Sequence, residues 1–179
     1  MAELKTSKKV KQSVIRVAKD DISMMDVDAF VFYADNDLKL GSGYGGAIAV
    51  RGGPKIQEEL DGLGPQKTCA AVVSGGGRLK AKHIIHAVGP KFQEEDTEKK
   101  LAKTVKNALA EAEKLDIKKV ALPPMGAGFY GVELDVSARI TLAAIKKHLE
   151  GKSKLEEVMV IVGDKREYGP FSAELESLN

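Results

Sequence analysis

The sequence predicts a three-layer α/β/α fold around a mixed, mainly parallel sheet. Three observations predict it. Short runs rich in Val, Ile or Phe recur along the chain, amphipathic stretches of helical period lie between them, and two glycine-rich segments sit at strand-to-helix junctions.

Residues 13–18 and 29–34 are the first expected strands, followed by 70–74, 84–88, 119–122 and 157–162. Most are short and apolar on both faces, the pattern of strands covered from both sides. Residues 46–52 and 54–60 predict short helices broken at Gly52-Gly53. In 97–115, Leu101, Val105, Ala108, Leu109 and Ala112 recur every three or four residues and make one apolar stripe. Residues 135–149 repeat the pattern with Val136, Ile140, Ala143, Ala144 and Leu149, and Asp135 stands where an N-cap is expected.

At 179 residues, with 43% hydrophobic and 30% charged side chains, the chain fits one ordinary domain able to bury a core without disulfides or metals. A net charge of +2 gives no push toward nucleic acid or membrane. The one local bias is Lys5, Lys8, Lys9 and Lys11, expected as a flexible basic tail within residues 1–12. The single cysteine, Cys69, excludes an internal disulfide and suits a reducing compartment. No apolar stretch approaches the roughly 18 residues of a membrane span, and no apolar signal-peptide core opens the chain, so the cytoplasm is the expected location.

The chemistry is expected in the two glycine-rich segments. Leu38-Lys39-Leu40-Gly41-Ser42-Gly43-Tyr44-Gly45-Gly46-Ala47-Ile48 is the first, and Pro123-Pro124-Met125-Gly126-Ala127-Gly128-Phe129-Tyr130-Gly131 the second. Each follows a strand and precedes a helix, the place where open α/β sheets bind ligands. Glycine lets backbone N–H groups approach a phosphate, and a helix N-terminus favours the negative charge. Two such loops on one crevice would clamp a diphosphate. Neither segment is a P-loop, because no Lys-Ser or Lys-Thr follows, and neither keeps the dinucleotide-binding G-x-G-x-x-G with its acidic partner.

Five ordered blocks give the chain a resemblance to the macro domain family over residues 14–171. They are Asp21-Ile22-Ser23, the first glycine-rich segment, Gly52-Gly53-Pro54-Lys55-Ile56-Gln57-Glu58-Glu59, Ile84-Ile85-His86-Ala87-Val88-Gly89-Pro90, and the second glycine-rich segment. The resemblance implies a single macro domain that binds ADP-ribose or a related ADP-containing nucleotide. Asp21 would accept a hydrogen bond from the adenine amino group beside the Ile22 N–H. Gly41, Gly43, Tyr44, Gly126, Ala127, Gly128 and Phe129 would line the diphosphate, largely through backbone atoms. Tyr130 would pack on the distal ribose and Asp35 would meet its hydroxyls. ADP-ribose, free or carried on a protein, is the implied partner; no cofactor, metal, membrane or nucleic acid is expected.

Departures from the family are informative. Members that process ADP-ribose carry Asn-Ala-Ala-Asn where this chain has Phe32-Tyr33-Ala34-Asp35. Ionised Asp35 can only accept hydrogen bonds. Its charge would oppose a diphosphate at about 8 Å by roughly 2 kcal/mol for an effective dielectric near 20. Gly163 stands at or near the position of an adenine-stacking aromatic, leaving Tyr168 or Phe171 to stack or, as their helical placement favours, to fill core. Gly126-Ala127-Gly128 replaces Ser-Thr-Gly. Gly45 replaces the Asp of one hydrolytic branch, so Asp35 is the weak remaining candidate for a general base.

Binding without strong catalysis is therefore the expected function. ADP-ribosyl hydrolysis, either from protein or from O-acyl-ADP-ribose, is the alternative, and a degenerate domain used for protein contacts is the second. His83 and His86, three apart on a strand, face opposite sides and do not suggest a shared metal. His148 lies near a helix C-terminus, and Cys69 reads as a buried structural thiol. Gly75-Gly76-Gly77 offers either a third loop over the ligand or a turn, and Lys39 and Arg51 either approach the phosphates or solvate helix faces.

Overall fold

The computed structural model describes residues 4–41 and 43–179. Seven strands form one mixed sheet in the order β1-β2-β7-β6-β3-β5-β4, with β1 Lys5–Val10, β2 Ser13–Lys19, β3 Ala29–Ala34, β4 Ala71–Gly75, β5 His83–Val88, β6 Lys119–Leu122 and β7 Glu157–Val162. The five inner strands run parallel, while β1 and β4 close the two edges antiparallel. Helices α1 (Tyr44–Gly52) and α2 (Lys55–Leu63) cover one face; α3 (Thr97–Lys114), α4 (Leu134–Glu150) and α5 (Lys165–Ser177) cover the other.

The α/β/α architecture agrees with the sequence expectation, and the predicted strands differ from the observed ones by at most one residue at each end. The apolar stripe of α3 is entirely buried, with Leu101, Val105, Ala108, Leu109 and Ala112 all at 0% exposure. Burying such Leu and Val side chains stabilises the fold by about 1.5–3 kcal/mol apiece.

The N-terminal run differs. Residues 5–10 form edge strand β1 rather than a tail, because Thr6, Lys8 and Val10 turn toward α5 and the core. Thr6 Oγ1 bonds the Tyr168 hydroxyl and, at 2.7 Å, Ser172 Oγ, and Lys8 Nζ reaches the Glu176 carbonyl. Polar contacts thus fix the strand where apolar burial would normally reveal it. Asp135 is not the N-cap of α4. The helix starts at Leu134, and Asp135 lies in its first turn, where a negative charge complements the helix dipole.

Asp28 ties three segments together at the amino ends of the strands. Its Oδ2 accepts from the Lys118 and Lys119 amides at 3.0 Å each, and its carbonyl accepts from the Lys82 and His83 amides. Burial alone would raise its pKa, but those amides and the nearby lysines hold the carboxyl below its ordinary value. Among the described residues no helix is long and apolar enough to cross a membrane.

Candidate functional site

Chain topology creates the site. After β3 the chain leaves to one face through α1, and after β6 it leaves to the other through α4, so adjacent β3 and β6 make a switch point. They pair only at Ala29↔Val120 and Phe30↔Ala121. Beyond that the strands diverge, and a cleft of about 410 Å³ opens between their carboxyl ends. That volume lies within the usual range for small-molecule sites.

Both glycine-rich loops line this cleft, through Lys39, Leu40, Gly41, Gly43 and Tyr44 on one side and Pro123, Pro124, Gly126, Ala127, Phe129 and Tyr130 on the other. Ser42 lies outside the described residues. Gly43 precedes α1 as its N-cap with φ +61° and, being glycine, has no side chain to cap the first-turn amides. The first-turn amides of a helix have no intrahelical acceptor, and this helix begins at the cleft lining. Gly126 has φ +79°, and a Cβ there would lie 2.8 Å from Val132 Cγ2. Ser137 on α4 fastens this second loop, its Oγ donating to the Met125 carbonyl at 2.6 Å. Gly128 begins a single 3-10 turn, Gly128–Tyr130, but does not itself line the cleft.

Glycines also make room for the two aromatics Phe32 and Tyr33. A Cβ on Gly89 would lie 2.1 Å from the Tyr33 ring, whose hydroxyl donates to the Pro90 carbonyl at 2.6 Å. A Cβ on Gly45 would lie 3.1 Å from the Phe32 ring and only 1.6 Å from the Leu40 carbonyl oxygen. Phe32 and Tyr33 therefore form cleft wall without filling the cleft.

Asp35 sits half-buried at the carboxyl end of β3, and the Tyr130 hydroxyl donates to its Oδ1 at 2.7 Å. Burial, then this bond and the Asp35 charge, raise the Tyr130 pKa, so the phenol stays protonated and donating. The Tyr33 and Tyr130 rings lie 4.4 Å apart, and Phe129 stands perpendicular to Tyr130.

Asp21 is the sequence-predicted residue placed least as expected. It does not line the cleft, although Ile22 does. Its Oδ1 accepts from Ser23 N at 3.1 Å and Ser23 Oγ at 2.7 Å, and its Oδ2 pairs with Arg51 Nη1 at 2.9 Å. Burial raises its pKa, but the Ser23 and Arg51 bonds outweigh that and hold the carboxyl below its ordinary value. Arg51 thus engages Asp21 instead of reaching a phosphate. Lys39 lines the cleft but pairs with Asp61 at 2.8 Å.

Sequence reasoning missed the Tyr44 side chain. A Cβ on Gly163 would lie 3.1 Å from the Tyr44 hydroxyl, so the ring reaches from the start of α1 into space beside Gly163. Phe171 is buried in the core and Tyr168 is spent on Thr6, which removes both as stacking groups. The signal available was a large aromatic at the first turn of a glycine-rich helix, together with glycine at position 163. Glu167, which lines the same end and accepts from Gly163 N at 2.7 Å, carried no such signal.

Gly75 ends β4 and Gly76-Gly77 lead into the turn after it, so the three are not a third loop over the cleft. A Cβ on Gly76 would lie 1.8 Å from the Ala81 carbonyl oxygen, and one on Gly77 would lie 2.3 Å from that of Gly52. No cluster of metal-ligating side chains occurs among the described residues.

The Macro domain family matches the chain over residues 31–141. A macro domain-containing protein of Caldanaerobacter subterraneus subsp. tengcongensis is 37% identical over 171 residues, spanning 92% of this chain and 97% of that protein. A macro domain-containing protein of Methanosarcina mazei is 36% identical over 150 residues, spanning 83% and 80%. The Oceanobacillus iheyensis macrodomain solved with ADP superposes with a TM-score of 0.93 at 22% identity over 98% of this chain and 97% of that one. The Trypanosoma brucei macrodomain solved with ADP-ribose gives 0.83 at 24% identity over 89% and 68%.

Proposed function

Because the chain belongs to the macro domain family, we propose that it binds ADP-ribose or a related ADP-containing nucleotide, with the diphosphate held between the loops after β3 and β6. The observation that carries this is the convergence of two glycine-rich loops, 80 or so residues apart by the spacing of Gly43 and Gly126, on one cleft. Amides at the start of α1, which Gly43 has no side chain to cap, supply donors to an anion. The base lies against Ile22 and the Tyr44 ring, with Asp21 turning aside from Arg51 or sharing its carboxylate with the amino group. The distal ribose lies between Asp35 and Tyr130. An ADP-ribosylated protein presents the same group and is the macromolecular partner this site accommodates.

Gly45 favours binding over hydrolysis. The backbone closes over it so tightly that no side chain able to orient water fits there. Asp35 is occupied by the Tyr130 hydroxyl through one oxygen, which disfavours it as a base.

Titration calorimetry with AMP, ADP and ADP-ribose tests diphosphate recognition. Each charge-assisted hydrogen bond contributes about 1.5–3 kcal/mol. ADP and ADP-ribose are therefore expected to bind at least about tenfold more tightly than AMP. Equal affinities for AMP and ADP would remove the diphosphate from the account.

A further inference from the structure

Charge in the cleft is distributed in a way that ADP-ribose alone does not explain. Among the described residues, its charged lining side chains are Asp35, Lys39 and Glu167. Lys39 is already paired with Asp61, and Glu167 lies at the opposite end from Asp35, beside Gly163. No ion pair among the described residues involves Asp35. Its Oδ1 takes the Tyr130 hydroxyl, and among the described residues no donor reaches Oδ2.

Aromatic rings line the same end of the cleft as that carboxylate. Tyr33 and Tyr130 stack obliquely at 4.4 Å, and Phe129 meets Tyr130 edge-on at 5.3 Å. Phe129 is 88% exposed, on the outer lip of the cleft. Phe92, 62% exposed, packs over Gly131, where a Cβ would lie 2.3 Å from its ring. An exposed phenylalanine gains nothing from water, and a carboxylate in a cleft lined by aromatic rings is suited to organic cations.

We infer that the end of the cleft formed by Asp35, Tyr130 and Phe129 takes a positively charged group attached to the distal ribose, so that the preferred ligand is an ADP-ribose bearing an organic cation there. This rests on the diphosphate site proposed above, from which the distal ribose reaches Asp35. The cation offsets the repulsion between Asp35 and the diphosphate, and its flat face lies against the aromatic lip. Two chemical sources share this feature: a pyridinium dinucleotide, and a guanidinium side chain linked to ADP-ribose.

Oxidised and reduced nicotinamide adenine dinucleotide separate charge from shape, since their rings are nearly the same size and only the oxidised one is cationic. Calorimetry on the full chain is expected to give the oxidised form about tenfold tighter binding than the reduced form. ADP-ribosylated agmatine, compared with ADP-ribose, tests the guanidinium source with the same expected direction. Preference in either pair supports the inference and identifies the source. In Asp35→Asn the preference is expected to fall to about twofold or less, and Phe129→Ala, whose side chain is too exposed to support the core, is expected to lower it as well. If ADP binds while neither cationic ligand is preferred, the inference is overturned and the diphosphate site stands. If ADP itself does not bind, both fall together.

Discussion

A Gly45→Asp variant is expected to lose about 4 kcal/mol or more of stability, read as a large fall in the denaturant midpoint. Gly45 is buried in the first turn of α1, and a Cβ there would lie 1.6 Å from the Leu40 carbonyl oxygen and 2.6 Å from its carbon. Both atoms are backbone, so no rotamer change relieves the overlap. Removing the nearby ring with Phe32→Ala is therefore not expected to rescue the variant. The consequence is functional as well. The first loop is pressed onto α1 more closely than an acidic side chain at this position allows, and hydrolytic chemistry cannot be restored by that one substitution. A Gly45→Asp protein as stable as the unsubstituted chain would show that the loop is free to lift, and would return hydrolysis to consideration.

Stability is expected to fall by about 3 kcal/mol as the pH is lowered from 6.5 to 4, with His86 as the main cause. His86 is completely buried beneath α1 and α2, edge-on to Phe32 at 6.1 Å. Ser74 Oγ donates to the Gly75 carbonyl, so it accepts from His86 Nε2 at 2.8 Å, and Nδ1 is left without a partner. Protonation would place an unpaired N–H and a charge in apolar surroundings. Burial accordingly pushes the imidazole pKa down from 6.5 to about 4. Above pH 6.5 neither state binds the proton. Between 6.5 and 4 the unfolded chain takes it up first, so stability falls with pH, and below 4 both states carry it. Urea melts between pH 6.5 and 5 avoid most carboxylate titration and should show this slope, which His86→Phe should flatten. An unchanged slope in that variant would move the cause elsewhere.

The fold was largely legible because its evidence is local. Strands β2, β3, β5, β6 and β7 are short runs dominated by Val, Ile, Phe or Ala and are largely buried, and α3 announces itself through one uninterrupted stripe. β1 was not, since its inward residues Thr6 and Lys8 are polar and are held by the Tyr168 and Ser172 hydroxyls and the Glu176 carbonyl, more than 160 positions away. The loops of the site were legible for the same local reason, as glycine clusters at strand ends. Their side-chain pairings were not. Arg51 with Asp21, Tyr130 with Asp35, and the Tyr44 ring beside Gly163 each join residues brought together only by the sheet order. Those pairings are what distinguish this cleft from a generic one, because they commit Asp21, leave Asp35 half-satisfied and supply an aromatic from the first glycine-rich loop itself.

Titrating ¹⁵N-labelled protein with ADP, and following each backbone amide by NMR, tests the two-loop account most directly. The expected result is that the largest shifts fall together on Gly43, Tyr44, Gly45 and Gly46 and on Gly126, Ala127 and Gly128, saturating along one binding curve. Shifts confined to one of the two loops, or centred away from the ends of β3 and β6, would contradict it.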